Sequence, residues 1–162
     1  MDIIGNRTLP LLLDEKASLY PDKVFLWFED KDGNTTSLTY AQFVRKVNQL
    51  GNAMLRLGVQ NGDKVTLHLT NSVEFMLSWF ALAKVGAVMV PTNVLSTAQE
   101  MEYILGHSES VLLITEQEHT SKFAHCRNHL PKLREVLVAR CASPSPGSKS
   151  LNELMEALNS SR

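Results

Sequence analysis

Apolar residues recur along this chain with two alternating periods. Thr39-Tyr40-Ala41-Gln42 has the form of a helix capping box, and Phe43, Val44, Val47, Leu50, Met54 and Leu57 then return at helical spacing until Gly58. After the turn Gly58 to Asp63, the run Val65-Thr66-Leu67-His68-Leu69 reads as a strand. Asn71-Ser72-Val73-Glu74 then caps a second helix, whose Phe75, Met76, Leu77, Trp79, Phe80, Leu82, Ala83 and Val85 leave few polar positions. A helix this apolar is expected to be covered on more than one side. Gly86 ends it, and Ala87-Val88-Met89-Val90 is expected to be a short buried strand. The unit repeats: Thr97-Ala98-Gln99-Glu100 caps a helix carrying Met101, Ile104 and Leu105, Gly106 stops it, and Val111 to Ile114 forms the next strand.

The flanks are less regular. A short helix from Thr8 to Tyr20 takes Thr8 as its cap and tolerates Pro10 in its first turn. Val24 to Phe28 and Thr35 to Leu38 flank Asp32-Gly33 and predict a β-hairpin. A weaker helix is expected from Gln117 to Asn128, and a strand at Val136 to Ala139. Residues 143–150 read as a solvated loop, after which Ser150 caps a last helix bearing Leu151, Leu154, Met155 and Leu158 on one face. Strands alternating with helices imply an α/β fold: three layers, a mostly parallel sheet with helices on both faces, and an N-terminal β-hairpin.

Composition narrows the functional classes. The 162 residues are 44% hydrophobic and 20% charged, the proportions of a soluble globular chain. Sixteen basic and 17 acidic side chains give a formal charge of -1, which excludes a broad field for nucleic acid or anionic lipid. Met1 to Arg7 has no signal-peptide pattern and the apolar stretches are broken by residues such as Glu74 and Lys84, so no membrane span and a cytoplasmic location are expected. Cys126 and Cys141 are too few for a disulfide framework and are read as reduced thiols without a catalytic role.

Candidate chemistry is sparse. No glycine-rich phosphate loop occurs, and Gly58-Val59-Gln60-Asn61-Gly62 reads as a turn. His119, His125, Cys126 and His129 make the best metal-like cluster, with His125 and His129 at i, i+4, yet no acidic residue accompanies them at a zinc-type spacing. A polar helix surface explains the same residues. Ser72, Ser78, Ser96 and Ser110 sit in no nucleophile elbow, and helix caps account for Ser72 and Ser96. His68 reads as a partnered structural histidine, while Trp27, Trp79 and Phe80 read as core. The expected catalytic, cofactor-binding and metal-binding residues are therefore none.

Four blocks in order carry a family resemblance: Leu38 to Phe43, Gly58 to Val65, Asn71 to Phe75, and Leu82-Ala83-Lys84-Val85-Gly86-Ala87-Val88-Met89-Val90-Pro91-Thr92-Asn93. Together they resemble the opening of the adenylate-forming superfamily, which includes acyl-CoA synthetases, luciferases and peptide-synthetase adenylation domains. Met1 to Gly5, Gly62 to Leu69, Trp79 to Lys84 and Val88 to Asn93 look most like crotonobetaine/carnitine-CoA ligases. The resemblance implies a parent enzyme that uses ATP, Mg²⁺ and CoA: a carboxylate attacks ATP to give an acyl-adenylate and pyrophosphate, and CoA thiolate then displaces AMP. The Ser/Thr/Gly-rich loop ending Pro-Lys-Gly, the later Thr-Glu pair, the ribose-binding Asp and the adenylation Lys of that superfamily have no counterpart here. Where many relatives carry Asn-Pro-Arg, with an Arg that can face CoA phosphate, this chain reads Asn93-Val94-Leu95.

These readings make residues 1–162 the N-terminal portion of an AMP-binding large domain, inactive alone and binding none of its parent's cofactors tightly. Its expected partners are the C-terminal remainder of the enzyme and, in the parent, a small carboxylic acid such as carnitine or crotonobetaine, with self-association through exposed apolar surface a further option. The alternative is a non-catalytic flavodoxin-like module that binds a small ligand or a protein.

Overall fold

The structure is a computed structural model that describes residues 7–124 and 126–157. Its elements are α1 (Leu9–Leu19), β1 (Val24–Glu29), β2 (Thr35–Thr39), α2 (Tyr40–Arg56), β3 (Lys64–His68), α3 (Val73–Val85), β4 (Val88–Pro91), α4 (Ala98–Ser108), β5 (Leu112–Glu116), α5 (Ser121–Ala124), β6 (Glu135–Ala139), β7 (Lys149–Ser150) and α6 (Leu151–Glu156). β1 and β2 form an antiparallel hairpin. The other five strands make a parallel sheet in the order β4-β3-β5-β6-β7.

Strand alternation sorts the core into two compartments. Val65, Leu67, Leu112, Ile114 and Leu137 pack on one side with Phe43, Val47, Leu50 and Met54 of α2, Leu77 and Leu82 of α3, and Leu151 of α6. Leu113 and Val136 face the other way, onto Met101 and Leu105 of α4, Phe123 of α5, Cys126, Leu130 and Leu133. Burying each large apolar side chain contributes about 1.5–3 kcal/mol. The result is the three-layer α/β arrangement expected from the sequence.

Side-chain caps set several of the helix starts. The Thr39 hydroxyl accepts from the Gln42 amide at 3.3 Å while the Gln42 side chain accepts from the Thr39 amide at 2.9 Å, the reciprocal pair of a capping box. Thr97 and Glu100 repeat it at α4, and single hydroxyl caps from Thr8, Ser72 and Ser150 open α1, α3 and α6. Lys84 ties the helical layer together, donating to Asp14 of α1 at 2.7 Å and Asn48 of α2 at 2.8 Å. In the hairpin turn the Asp30 carboxylate accepts from the backbone amides of Asp32 and Asn34.

Several sequence-based expectations require correction. β4 is an edge strand, and Val88 is 48% exposed because β3 is its only neighbour among the described residues. Trp27 and Trp79 are exposed rather than core: Trp27 lies on the outer face of a two-stranded ribbon, and α3 buries Leu77, Ser78, Phe80, Ala81 and Leu82 while leaving Trp79 outside. Gly106 does not stop α4. The helix runs to Ser108 and closes on Glu109, which takes the left-handed conformation at φ 54°. In place of one helix over Gln117–Asn128, two 3₁₀ turns (Gln117–His119 and Arg127–His129) flank the single turn of α5. Lys149 and Ser150, within the expected loop 143–150, pair with β6. Met1 to Gly5, His125 and Leu158 lie outside the described residues.

Candidate functional site

The sheet reverses its winding between β3 and β5. β3 leads through α3 to β4 on one side, whereas β5 leads to β6 on the other, and α3 and α4 cover opposite faces. In open parallel sheets this reversal leaves a crevice outside the carboxyl ends of the two strands. A cleft of about 820 Å³ lies there, between the hairpin turn and the strand ends, lined by Phe28 to Asp32, Asn34, Thr36, Thr70, Asn71, Val73, Glu74, Glu116, Glu118 and Arg140.

A polar assembly fixes the floor of this cleft. Glu116 closes β5 and is 6% exposed. Its Oε1 accepts from the Thr70 amide at 2.9 Å, the Thr70 hydroxyl at 2.6 Å and Arg140 Nη2 at 2.6 Å. Arg140 Nη1 donates to Glu74 Oε2 at 2.9 Å, joining the end of β6 to the first turn of α3. Burial alone would push the Glu116 carboxyl up, but the Thr70 hydroxyl and amide, with the Arg140 guanidinium, outweigh it and hold the pKa below the ordinary carboxylate value.

On the opposite face of the sheet, His68 is fully buried at the end of β3. Its Nδ1 lies 2.9 Å from the Thr92 hydroxyl and its Nε2 3.4 Å from Lys122 Nζ. The Thr92 hydroxyl donates onward to the Leu67 carbonyl at 3.1 Å, so it accepts from His68 Nδ1–H, and Nε2 accepts from the Lys122 ammonium. Lys122 also donates to the carbonyls of Val94 at 2.6 Å and Ser96 at 3.0 Å, which fastens the loop between β4 and α4. Burial, then the charge of Lys122, then His119, lower the His68 pKa to about 4, with Glu116 acting weakly the other way. His68 is therefore a neutral imidazole at pH 7 with both ring nitrogens partnered.

Of the metal-like residues named from the sequence, the three that are described, His119, Cys126 and His129, do not converge. Cys126 is 3% exposed within the α4 and α5 core, where burial, then Glu102, push its thiol pKa up. His129 pairs instead with Glu102 of α4 at 2.9 Å. His119 turns toward Glu116 and Glu118. Cys126 and Cys141 are both free thiols. The four serines are scattered: Ser72 caps α3, Ser78 lies inside it, Ser110 shares its hydroxyl with Thr66 and Ser108, and Ser96 precedes the true α4 cap, Thr97. The assembly of Thr70, Glu74, Glu116 and Arg140 escaped sequence reasoning. Its one available signal was position, since Thr70, Glu116 and Arg140 all follow or end predicted strands.

The cleft is acidic: its six carboxylates, Glu29, Asp30, Asp32, Glu74, Glu116 and Glu118, accompany Lys31 and Arg140. That surplus of negative charge disfavours a free polyphosphate. Among the described residues no helix is long and apolar enough to cross a membrane.

Comparison with known proteins places this geometry. A family profile described as AMP-binding enzyme matches residues 13–159. Proteins named crotonobetaine/carnitine--CoA ligase from Salmonella paratyphi B and Salmonella typhi are each 36% identical to the chain over 146 residues, covering 86% of it and 28% of the relative. The chain thus spans little more than a quarter of these relatives' length. Among solved structures, the anthranilate CoA ligase AuaEII in complex with anthranoyl-AMP superposes with a TM-score of 0.82 at 31% identity, covering 91% of this chain and 27% of that one. The acetoacetyl-CoA synthetase from Streptomyces lividans, also at 0.82 but 24% identical and covering 90% of this chain and 24% of its own, shares the fold. The chain belongs to the AMP-binding enzyme family, and its parallel sheet has the fold of that family's acid-CoA ligases.

Proposed function

We propose that this chain is the amino-terminal scaffold portion of a cytoplasmic, AMP-forming acid-CoA ligase, and that the ligase acts on a small acid of the crotonobetaine or carnitine type. The observation that carries the reading is the family match over residues 13–159, joined to relatives of which the chain spans 28%. The 36% identity to proteins named for crotonobetaine and carnitine supports the substrate class. In the parent reaction a carboxylate oxygen attacks the α-phosphorus of ATP, pyrophosphate leaves, and CoA thiolate then displaces AMP from the acyl-adenylate. Residues 1–162 form part of the large domain in this reading, and no side chain among them serves as nucleophile, proton carrier or phosphate ligand. Their contribution is positional: the Thr70, Glu116, Arg140 and Glu74 network holds three strand ends and one helix start in register for loops supplied by the remainder of the enzyme.

One observation favours a second reading, a flavodoxin-like binding module without catalysis: an open cleft lies at the switch point of a doubly wound sheet. Thermal denaturation of the 162-residue chain with ATP, CoA, L-carnitine, crotonobetaine or flavin mononucleotide separates the two. The scaffold reading predicts no saturable rise in melting temperature with any of them, whereas a ligand at about 100 times its Kd stabilises by about 2.7 kcal/mol. Saturable stabilisation by flavin would replace the scaffold reading with the binding module.

A further inference from the structure

We propose that Glu116, Glu118 and His119 form a binding site for a first-row divalent metal ion, of the Zn²⁺ or Mn²⁺ class, at the mouth of the cleft. One ligand atom from each residue lies within 4.8 Å of the other two. His119 Nε2 stands 3.5 Å from Glu118 Oε1 and 3.9 Å from Glu116 Oε2. Metal bonds of about 2.0–2.2 Å at tetrahedral to octahedral angles put neighbouring ligand atoms about 3–3.5 Å apart. The two His119 distances are within a few tenths of an ångström of that range, and the exposed Glu118 carboxylate closes the remaining gap by rotating toward Glu116.

Two features set this trio apart from a surface cluster of acids. His119 Nε2 is sealed from solvent and makes no hydrogen bond, although it points at two carboxylates. A buried ring nitrogen without a partner carries an uncompensated desolvation penalty that a metal bond would remove. Glu116 is also pre-aimed. Its Oε1 is consumed by the Thr70 amide, the Thr70 hydroxyl and Arg140, which leaves Oε2 turned toward His119. Fixing one carboxylate oxygen so that the other faces the ion is how surrounding residues orient metal ligands.

Local structure explains why the three meet. β5 delivers Glu116 at its last position, and the 3₁₀ turn Gln117–His119 brings Glu118 and His119 back over the strand end. The side chains of Glu116 and His119 are 8% and 15% exposed, while Glu118 is 70% exposed and closes the site from the cleft side. One imidazole with two carboxylates is a mixed nitrogen and oxygen set. It suits Zn²⁺ or Mn²⁺ better than Mg²⁺, and three protein ligands leave coordination positions open to water or to a ligand in the cleft.

Equilibrium dialysis of the 162-residue chain against Zn²⁺, with the Co²⁺ absorption spectrum as reporter of an imidazole and carboxylate ligand set, tests the assignment independently of ligase activity. The expected result is uptake of one ion per chain that excess Mg²⁺ does not displace. His119→Gln and Glu118→Gln, both on a short turn, each weaken uptake by about tenfold or more. His129→Gln, which alters the exposed His129 and Glu102 pair instead, leaves it unchanged, and matched circular dichroism spectra establish that each variant is folded. Absence of stoichiometric uptake, or uptake that His119→Gln and Glu118→Gln leave intact, would overturn the proposal.

Discussion

Lowering the pH from 7 to 5 is expected to destabilise the folded chain by about 2 kcal/mol through His68 alone. The folded state holds this imidazole neutral with a pKa near 4, against an ordinary value of 6.5. Between those two values the unfolded chain binds a proton that the folded chain refuses, so acid favours unfolding. The contribution of His68 is complete above the unfolded pKa, falls as the pH drops below it, and levels off once the folded group also titrates. The groups facing His68 explain the direction: Lys122 and His119 oppose a second positive charge, and Glu116 offsets them only weakly. Glu116, whose own pKa is lowered, adds a loss that begins only near and below its ordinary value, in a separate and more acidic window. Urea unfolding at a series of pH values measures the effect. His68→Asn, which keeps an amide where Nδ1 meets Thr92, should reduce the loss between pH 7 and 5 to less than about 0.5 kcal/mol. An unaltered slope in that variant would contradict the assignment.

Gly86→Ala is expected to cost about 2–4 kcal/mol, the sum of a left-handed backbone penalty and an overpacking penalty. Gly86 closes α3 at φ 76°, its amide directed to the carbonyls of Leu82 and Ala83. A Cβ there would lie inside van der Waals contact with the Asn61 side chain, whose neighbour Gly62 donates its amide to the Gly86 carbonyl at 2.8 Å. The turn before β3 and the turn before β4 are therefore locked together at this glycine, and neither can yield without disturbing the entry of its strand. Gly33→Ala is the control. Gly33 has a similar φ of 81° but open space around it, so it should lose only the backbone term of about 1 kcal/mol. Equal losses at the two positions in denaturant titrations would show that the Asn61 contact contributes nothing.

Much of the fold was legible in the sequence because its signals are local. Capping hydroxyls, period-2 runs and helical spacing are all contained within a few residues, and they placed the hairpin, α2, α3 and the four longer strands of the parallel sheet. The errors arose where a neighbour decides the outcome. Val88 belongs to an apolar run, yet exposure at a sheet edge depends on what lies beside the strand. Gly106 carries the composition of a stop signal, but it sits where a Cβ would approach Leu130 at 3.6 Å, and Glu109 supplies the left-handed residue instead. The segment from Gln117 to Asn128 breaks into turns as it passes over the end of β5.

The candidate site was less legible for a related reason. Glu116 and Arg140 are 24 residues apart and meet because β5 and β6 pair in parallel with Glu116 opposite Ala139. Nothing in the spacing of the two residues announces that register. The histidines drew attention as a run from His119 to His129, whereas His119 faces backward to Glu116 and Glu118, and His129 faces α4. Family-level blocks such as Leu82 to Asn93 were visible because they preserve a helix end, a glycine stop and a strand. That architecture identifies the lineage.

In the proposed function, residues 1–162 supply scaffold and not adenylation chemistry. The most direct measurement is acid-dependent exchange of labelled pyrophosphate into ATP by the purified 162-residue chain, with Mg²⁺ present and with L-carnitine, crotonobetaine and a panel of other small carboxylic acids. The account predicts no exchange above the protein-free background with any acid. Acid-dependent exchange that co-purifies with the chain would contradict it and place a phosphate-handling site within these residues.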